Sequence, residues 1–280
     1  MKIIIPMAGS GARFMRSGYT EPKPLIKVDN KRIIEYILDM FDKVNDEFIF
    51  ICNNVHLYTT DMYRILKGLV PNCTIIEINP HRLGPVHTLL ESSMSKYIDD
   101  NEQVIVSYCD NPYLWDYKYF KDNTKADGYI MSHQGFHPHR LSSTYMAHIK
   151  TDSNSNQVLA IKEKEPYTIK PMEEHASTGT YYFKKGTYLK EYCEELIEKN
   201  IHYNGEFHLT LVYNLMIRDN LTVEVYPTDF VTVFGTPEEL ENFKAWQTIL
   251  KGSQVKSEQD AIMCYNYWKM YARKKGEAIG

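Results

Sequence analysis

Short, wholly apolar runs that alternate with longer amphipathic stretches are the feature that most constrains the fold of this chain. The runs Ile3–Ile5, Phe48–Cys52 and Val104–Val106 contain no polar residue, which predicts strands that are buried on both faces. The stretches between them repeat apolar residues at the spacing of a helix with one buried face. This alternation favours a predominantly parallel sheet flanked by helices, with ligands at the carboxyl ends of its strands.

After about residue 126 the pattern changes, because strand-like pieces follow one another without long helices between them. This change predicts a small antiparallel or mixed portion beside the first half, where a second substrate could bind. Two helical stretches end the chain, and the first starts at Thr236-Pro237-Glu238-Glu239, with Thr as the cap and acids in the first turn. The sequence predicts helices at residues 31–44, 57–69, 84–97, 186–199, 209–217, 237–250 and 258–275, and further strands at 74–78, 129–132, 143–150, 158–163, 177–183 and 222–226.

The loop after the first strand is rich in small residues, Ala8-Gly9-Ser10-Gly11, and Arg13 and Lys23 follow it closely. A backbone that passes close to phosphate oxygens favours Gly and Ser, because a Cβ would block the approach. Arg13 can donate to two phosphate oxygens, and Lys23 can follow charge as it develops on a leaving group. The loop therefore predicts a polyphosphate site, although the glycines alone also suit an ordinary turn, since their spacing matches neither G-x-G-x-x-G nor G-x-x-x-x-G-K-[ST].

A candidate metal ligand follows the apolar run Val104–Val106, which leads into Ser107-Tyr108-Cys109-Asp110-Asn111. An acid at the carboxyl end of a buried strand is well placed to bind Mg²⁺, which usually takes one or two carboxylates together with phosphate oxygens. Asp110 could equally cap the turn into Pro112. The residues alone leave both interpretations open.

Composition excludes several other classes of protein. A net charge of −4 argues against a nucleic-acid backbone as the main partner, because that would require a basic surface. No apolar run approaches the length that spans a membrane, and the first residues lack the long apolar region of a signal peptide. The five cysteines are scattered without a C-x-x-C pair, which indicates neither a disulfide framework nor a zinc site. We expect a cytoplasmic protein with no membrane partner.

The order of strand, G-x-G-x-R loop and P-K-x-L element resembles the amino-terminal signature of the sugar-nucleotidyltransferase superfamily. The pieces PMAGSGARF and GYTEPKPLI are also similar to the capsule-biosynthesis nucleotidyltransferases of the BcbE-like group, and the similarity runs from Met1 to about Asn242. It implies a Rossmann-like α/β fold of the GT-A-like type. It also implies one nucleotidyltransferase domain over residues 1–242, with a nucleotide-binding half at 1–125 and an acceptor-binding half at 126–235, and a helical extension over 243–280.

The resemblance assigns roles at the nucleotide. It implies that Arg13 and Lys23 act on the triphosphate and that Asp110 is the metal-binding aspartate. It also places Gly84 and the backbone of Met7 to Gly9 against the nucleotide, beside the loop residues Ser10 and Gly11. In the sequence, Leu83-Gly84-Pro85 is equally consistent with an ordinary helix start.

Three further pieces match elements that surround the acceptor in the resembling family. Glu163-Lys164 in IKEKEP matches an E-K-P element, Gly179 lies in STGTYYF, and Glu206 lies in NGEF. The family implies that the lysine lies near the acceptor phosphate. Without the family, Lys164 between acids would be typical of a solvated surface.

One position departs from the family pattern. Many relatives have an aspartate just before the G-T-P-E segment, and this chain has Val233 there. Either Asp110 holds the ion with phosphates and water alone, or another acid such as Asp229 or Glu206 substitutes for the missing carboxylate.

The segment SHQGFHPHR contains a cluster of basic side chains: His133, His137, His139 and Arg140. Gly and Pro between the histidines indicate an irregular loop rather than the fixed i, i+4 geometry of a helical metal site. We favour a loop that contributes to the acceptor pocket.

The resemblance implies a Mg²⁺-dependent enzyme that joins a nucleoside triphosphate, with CTP favoured and UTP next, to a small phosphorylated acceptor and releases pyrophosphate, for capsule or surface polysaccharide biosynthesis. One alternative is a glycosyltransferase of the related nucleotide-sugar-binding fold, although such enzymes usually present D-x-D where this chain has Cys109-Asp110-Asn111. Another is a catalytically silent nucleotide-sugar-binding regulatory protein, which Val233 and the terminal helices make conceivable. Those helices could also form a homo-oligomer contact.

Overall fold

The computed structural model of the chain describes residues 1–135, 137, 146–251 and 257. Within them, one large mixed sheet organises the fold, and a two-stranded ribbon lies beside it. The strands are β1 (Lys2–Met7), β2 (Lys27–Val28), β3 (Lys31–Arg32), β4 (Glu47–Asn53), β5 (Thr74–Ile78), β6 (Val104–Ser107), β7 (Gly128–His133), β8 (His148–Thr151), β9 (Val158–Lys162), β10 (His175–Phe183) and β11 (Val223–Pro227).

The large sheet has the strand order β11-β7-β10-β6-β1-β4-β5. Strand β1 is parallel to both β4 and β6, β4 is parallel to β5, and β7 is parallel to β11. Strand β10 runs antiparallel to β6, β7 and β8, and β8 pairs antiparallel with β9. The predicted parallel sheet and its smaller antiparallel portion are therefore confirmed, and both predicted halves share one sheet. The division into halves at residue 125 stays a prediction.

Helices cover both faces of the sheet. Consecutive strand residues face opposite sides, and both sides of this sheet are apolar. In β1, Ile4 belongs to one buried apolar cluster, whereas Ile3 and Ile5 belong to the other. Leu189 of α7 (Gly186–Glu198) packs in the first cluster and Leu66 of α4 (Met62–Leu69) in the second. The helices are α1 (Ala12–Arg16), α2 (Ile33–Leu38), α3 (Asn54–Thr59), α4 (Met62–Leu69), α5 (Pro85–Glu91), α6 (Tyr117–Asn123), α7 (Gly186–Glu198), α8 (Leu209–Arg218) and α9 (Pro237–Lys251).

Several helices are shorter than the sequence predicts. The predicted helix 57–69 is two helices, because the hydroxyls of Thr59 and Thr60 donate to the carbonyls of Val55 and His56 at 2.7 and 2.6 Å and end α3. The predicted helices 31–44 and 84–97 end early, at Leu38 and Glu91. Residues 143–145 of one predicted strand and the whole predicted helix 258–275 lie outside the described residues.

The topology brings distant segments to one edge of the sheet. The carboxyl ends of β1 and β6 meet there because the two strands are parallel neighbours. Strand β10 is antiparallel to β6, so its first half lies at the same edge, with Thr180 opposite Ser107. A register shift between Ser177 and Tyr181 bends β10 at this point.

Candidate active site

A cavity of about 280 Å³ opens at this edge. Seven of the residues predicted to bind substrates line it: Arg13, Lys23, Asp110, Glu163, Lys164, Gly179 and Glu206. The remaining lining residues were not predicted as site residues: Tyr108, Asn111, Met146, Ala147, Ser177, Tyr181, His208, Val233, Gly235, Thr236 and Glu239. The cavity therefore joins the predicted triphosphate and acceptor residues in one space.

An ion pair dominates the triphosphate end of the cavity. Lys23 opens a short 3-10 helix after Pro22, and its Nζ lies 2.6 Å from Oδ2 of Asp110. Burial lowers the pKa of Lys23, but the Asp110 carboxylate outweighs that effect and raises the pKa above its usual value. Lys23 is therefore a permanent cation, and it compensates the charge of Asp110 directly.

A second carboxylate lies beside this pair. The N–H of Phe234 donates to the carbonyl of Asp110 at 2.8 Å, which ties the start of α9 to the Asp110 loop. A Cβ built on Gly235 would lie 3.1 Å from Oε2 of Glu239, 3.6 Å from Oδ2 of Asp110 and 3.8 Å from Cγ1 of Val233. Burial and the charge of Asp110 raise the pKa of Glu239, against hydrogen bonds from Thr236.

The glycine-containing loop leads into this end of the cavity. Gly11 has φ 62, in the left-handed region, and its carbonyl accepts from the N–H of Phe14 at 2.9 Å where α1 begins. A Cβ on Gly11 would lie 3.9 Å from the backbone nitrogen of Lys23, and one on Gly9 would meet nothing within 4 Å. Arg13 lines the cavity, but the residues Met7, Ala8, Gly9, Ser10 and Gly11 are not among its lining. Their role in nucleotide binding stays a prediction.

Gly84 has a packing role. Its φ is 92, and a Cβ there would lie 2.6 Å from the backbone nitrogen of Phe207. The N–H of Phe207 donates to the carbonyl of Leu83 at 2.8 Å, and the N–H of Val86 donates to the carbonyl of Phe207 at 3.1 Å. This close approach by itself explains the glycine. Gly84 is not a lining residue, so its contact with the nucleotide stays a prediction.

The acceptor end of the cavity contains a network around His208. Its Nδ1 lies 3.5 Å from Oε1 of Glu163, and its Nε2 lies 3.3 Å from Oε2 of Glu206. Lys164 Nζ lies 3.5 Å from the same Nε2 and 3.6 Å from Glu206. The Thr210 hydroxyl donates to Oε2 of Glu163 at 2.6 Å. Residues from two segments, 163–164 and 206–210, thus meet at one end of the cavity.

Burial sets the protonation of this network. It raises the pKa of Glu163 to about 7, against the hydrogen bond from Thr210 and the charge of Lys164. Burial and then Lys164 lower the pKa of His208 to about 4. At neutral pH the histidine is therefore neutral, and Glu163 holds a proton far more readily than an ordinary glutamate does. Lys164 itself has φ 58, a region that costs energy for a residue other than glycine and often marks a functional site.

Gly179 allows the bend in β10 that lies under the cavity. It has φ 84, and a Cβ there would lie 3.0 Å from the ring of Tyr108 and 3.2 Å from Nδ2 of Asn111. The N–H of Tyr108 donates to the carbonyl of Gly179 at 2.8 Å, and the rings of Tyr108 and Tyr181 meet edge to face at 5.3 Å. The positive φ and these close contacts favour glycine at this turn, and the role of Gly179 in acceptor binding stays a prediction.

Among the described residues, the other predicted features are not part of the lining of the cavity. The rings of His133 and His137 pack edge to face at 5.5 Å, and His139 and Arg140 lie outside the described residues. Burial raises the pKa of Cys109 to about 11, which disfavours a thiolate nucleophile. Asp229 exchanges backbone hydrogen bonds with Leu114 and is not a lining residue of the cavity.

Two ionisable residues of the cavity, His208 and Glu239, were missed by sequence reasoning. His208 directly follows the NGEF segment, so its proximity to Glu206 was available as a signal. Glu239 was interpreted as a helix-start acid, which is correct, since Thr236 Oγ1 accepts from its N–H at 3.2 Å. Nothing in the spacing indicated that its carboxylate also faces the cavity.

The charged cavity lies at the carboxyl ends of strands in a largely parallel sheet, which is where open α/β folds commonly bind ligands. The model of the MobA-like NTP transferase domain matches residues 3–158. The chain belongs to this family, and its predicted membership of the nucleotidyltransferases is confirmed at that level. No curated protein sequence matches the chain.

Solved structures share the fold over most of the chain. A nucleoside-diphosphate-sugar pyrophosphorylase from Vibrio cholerae RC9 superposes with a TM-score of 0.71 at 23% identity, over 87% of this chain and 99% of that one. An inositol-1-phosphate CTP transferase from T. maritima has a TM-score of 0.65 at 14% identity, over 90% and 96%. A UDP-glucose pyrophosphorylase complexed with UDP-glucose has a TM-score of 0.65 at 14% identity, over 88% and 97%. These likenesses confirm the predicted fold class.

No helix among the described residues is both long enough and apolar enough to cross a bilayer.

Proposed function

We propose that the protein is a Mg²⁺-dependent nucleotidyltransferase that joins a nucleoside triphosphate to a small phosphorylated acceptor. The observation that supports this most directly is the cavity itself. Arg13, Lys23 and Asp110 line one end of it, and Lys164 lines the other. Two anionic substrates would thus each find a cation, with their reacting phosphates between the two ends.

The reaction needs no general base. A phosphate oxygen of the acceptor attacks the α-phosphorus of the triphosphate, a new P–O bond forms, and the bond from the α-phosphorus to the bridging oxygen breaks as pyrophosphate leaves. The acceptor phosphate is already an anion, so Arg13 and Lys23 contribute by positioning and by stabilising charge on the leaving group.

The residues at the triphosphate end fit a hard divalent cation. Nucleotidyltransferases of this kind generally use divalent metal ions, and carboxylate oxygens are the ligands that Mg²⁺ prefers. Asp110 lines the cavity and pairs with Lys23 through Oδ2. When bound there, the ion would neutralise the α-phosphate and the departing pyrophosphate.

Our proposals for the base and for the acceptor rest on resemblance to other nucleotidyltransferases, not on the geometry of the cavity. We favour CTP, with UTP next, because the amino-terminal segments resemble capsule-biosynthesis nucleotidyltransferases. One solved structure of the same fold belongs to an inositol-1-phosphate CTP transferase. We propose a sugar phosphate, polyol phosphate or similar small phosphorylated compound as the acceptor, for use in capsule or surface polysaccharide synthesis.

The test is incubation of the purified protein with each of the four common triphosphates, Mg²⁺ and a panel of phosphorylated acceptors, with pyrophosphate release as the readout. We expect pyrophosphate only when triphosphate and acceptor are both present, and none after chelation of the metal. A glycosyltransferase would instead consume a nucleotide-sugar, and a regulatory protein would turn over none of these compounds. Either result would contradict the proposal.

A further inference from the structure

We propose that Glu239 is the second carboxylate that holds the divalent cation, in place of the aspartate that relatives have at position 233. This inference rests on the proposed function, because it takes the cation to lie at Asp110. Glu239 lies in the first turn of α9 and would take the role that a carboxylate at position 233 would have.

The geometry around Gly235 supports the assignment. The point where a Cβ of Gly235 would lie is within 4 Å of Glu239 Oε2, Asp110 Oδ2 and Val233 Cγ1. An aspartate at position 233 would direct a carboxylate towards the space beside Asp110. Glu239 comes from six residues further along the chain and brings its oxygen to that same space.

The backbone explains how Glu239 reaches this space. The N–H of Phe234 bonds to the carbonyl of Asp110, and the N–H of Thr232 donates to the carbonyl of Pro112 at 2.7 Å. These two bonds fix the segment before α9 against the Asp110 loop. The helix then starts at Pro237, so its first turn faces the cavity, and Glu239 is the acid of that turn that lines it.

The triphosphate end of the cavity holds two carboxylates, those of Asp110 and Glu239, beside the cations Arg13 and Lys23. Lys23 lies 2.6 Å from Asp110, and a divalent ion would bind through the two carboxylates together with the phosphate oxygens of a triphosphate. Two carboxylates and phosphate oxygens are an ordinary ligand set for Mg²⁺.

The two substitutes suggested by the sequence fit less well. Asp229 is exposed and is not among the residues that line the cavity. Glu206 does line it, but at the other end, where it lies 3.6 Å from Lys164 and 3.3 Å from His208. Glu239 is therefore the acid in the described part of the chain that lies beside Asp110 in the cavity.

A purely structural role for Glu239 makes a different prediction. Thr236 and Glu239 stand three residues apart at the start of α9, as in a capping box, where Glu and Gln serve equally well. Glu239→Gln therefore keeps the cap and the side-chain volume, and it removes the negative charge that a metal requires. Glu238 is the neighbouring exposed acid of the same turn, so Glu238→Gln is the matched control.

The experiment is a titration of the full chain with Mn²⁺ alone. Binding is measured as the decrease of the electron paramagnetic resonance signal of the free ion. We expect Glu239→Gln and Asp110→Asn each to weaken Mn²⁺ binding about tenfold or more, with Glu238→Gln and Asp229→Asn within about twofold of the unmodified protein. The double variant Glu239→Gln with Val233→Asp should regain most of the lost affinity. Thermal unfolding of each variant reports whether the helix cap is kept.

Equal Mn²⁺ affinity of Glu239→Gln and Glu238→Gln would overturn the assignment, as would no Mn²⁺ binding by the unmodified protein. These failures differ from failure of the proposed function. If no triphosphate yields pyrophosphate, the function fails while the Mn²⁺ titration still decides the role of Glu239. If pyrophosphate forms and Glu239→Gln binds Mn²⁺ normally, the function stands without this residue.

Discussion

The two ends of the cavity are built in different ways. The triphosphate end takes Arg13 and Lys23 from one short stretch of the first 25 residues, and Asp110 from the loop after the adjacent strand β6. Its side chains are partly exposed ions, with about a fifth of Lys23 and of Asp110 accessible. The acceptor end assembles Glu163 and His208 from separate segments and buries both.

This difference separates two kinds of chemistry. Asp110 raises the pKa of Lys23 above its usual value, so the triphosphate end offers a fixed positive charge for a highly charged substrate. Buried ionisable groups change their protonation instead, and Glu163 and His208 both have strongly shifted pKa values. The acceptor end can therefore form hydrogen bonds with hydroxyl groups of the acceptor and also bind its phosphate through a positive charge. Variants at each end should separate the kinetics of the two substrates.

The largest effect is expected for Lys23→Ala. The lysine charge stabilises negative charge that develops on the leaving group. Losing one such well-placed group costs about 2.7–4 kcal/mol of transition-state stabilisation, or roughly 10²–10³-fold in turnover. Lys27 is an exposed lysine of the same segment, so Lys27→Ala is the control. Pyrophosphate release at saturating substrates measures the effect, and retention of full activity by Lys23→Ala would contradict the role.

A smaller effect, confined to the other substrate, is expected for Lys164→Ala. A hydrogen bond to a charged group contributes about 1.5–3 kcal/mol, so the KM for the acceptor should rise by roughly 10- to 100-fold while the KM for the triphosphate stays the same. Lys162 is exposed two residues earlier, and Lys162→Ala should leave both values unchanged. An equal rise in both KM values would show that the two ends are not separate.

The same contrast explains what the sequence could predict. Arg13 and Lys23 follow β1 in one short motif, and Asp110 directly follows the apolar run of β6, so each was recognisable from residues close to it in the sequence. Glu239 comes beside Asp110 through the bond between Phe234 and Asp110, and His208 meets Glu163, 45 residues earlier in the chain, only in the folded protein. Such long-range contacts leave no periodic trace in the sequence. The sheet itself was predictable because its apolar runs are local.

An effect on stability rather than on kinetics is expected at Gly84. Because it packs on Phe207, we assign it structurally to the acceptor end, although the sequence resemblance places it at the nucleotide. Gly84→Ala should lower the free energy of unfolding by about 1–3 kcal/mol, since the alanine must adopt positive φ beside a backbone nitrogen. Gly9→Ala meets no neighbour within 4 Å and should leave stability nearly unchanged. Chemical denaturation measures both, and equal stability of the two variants would contradict the packing role.

The smallest effect concerns pH. The pKa of Glu163 is raised from 4.5 to about 7, mainly by burial, so the carboxyl loses its proton as the pH rises from 6 to 8. The new negative charge beside Lys164 should repel an acceptor phosphate, and the KM for the acceptor should rise a few-fold over this range. His208 does not titrate there, because its pKa is about 4. Glu163→Gln should flatten the rise, whereas the exposed neighbour variant Glu165→Gln should keep it.

Stability supplies an independent check with opposite signs for the two groups. Between pH 4.5 and 7 the folded protein binds more protons at Glu163 than the unfolded chain does, so this residue makes stability fall as the pH rises. At His208 the unfolded chain binds more protons between pH 4 and 6.5, so this residue makes stability rise with pH over that range. The two contributions oppose each other up to pH 6.5. Unfolding free energies of Glu163→Gln should therefore increase with pH from 4.5 to 6.5 more steeply than those of the unmodified protein, and identical slopes would show that Glu163 titrates normally.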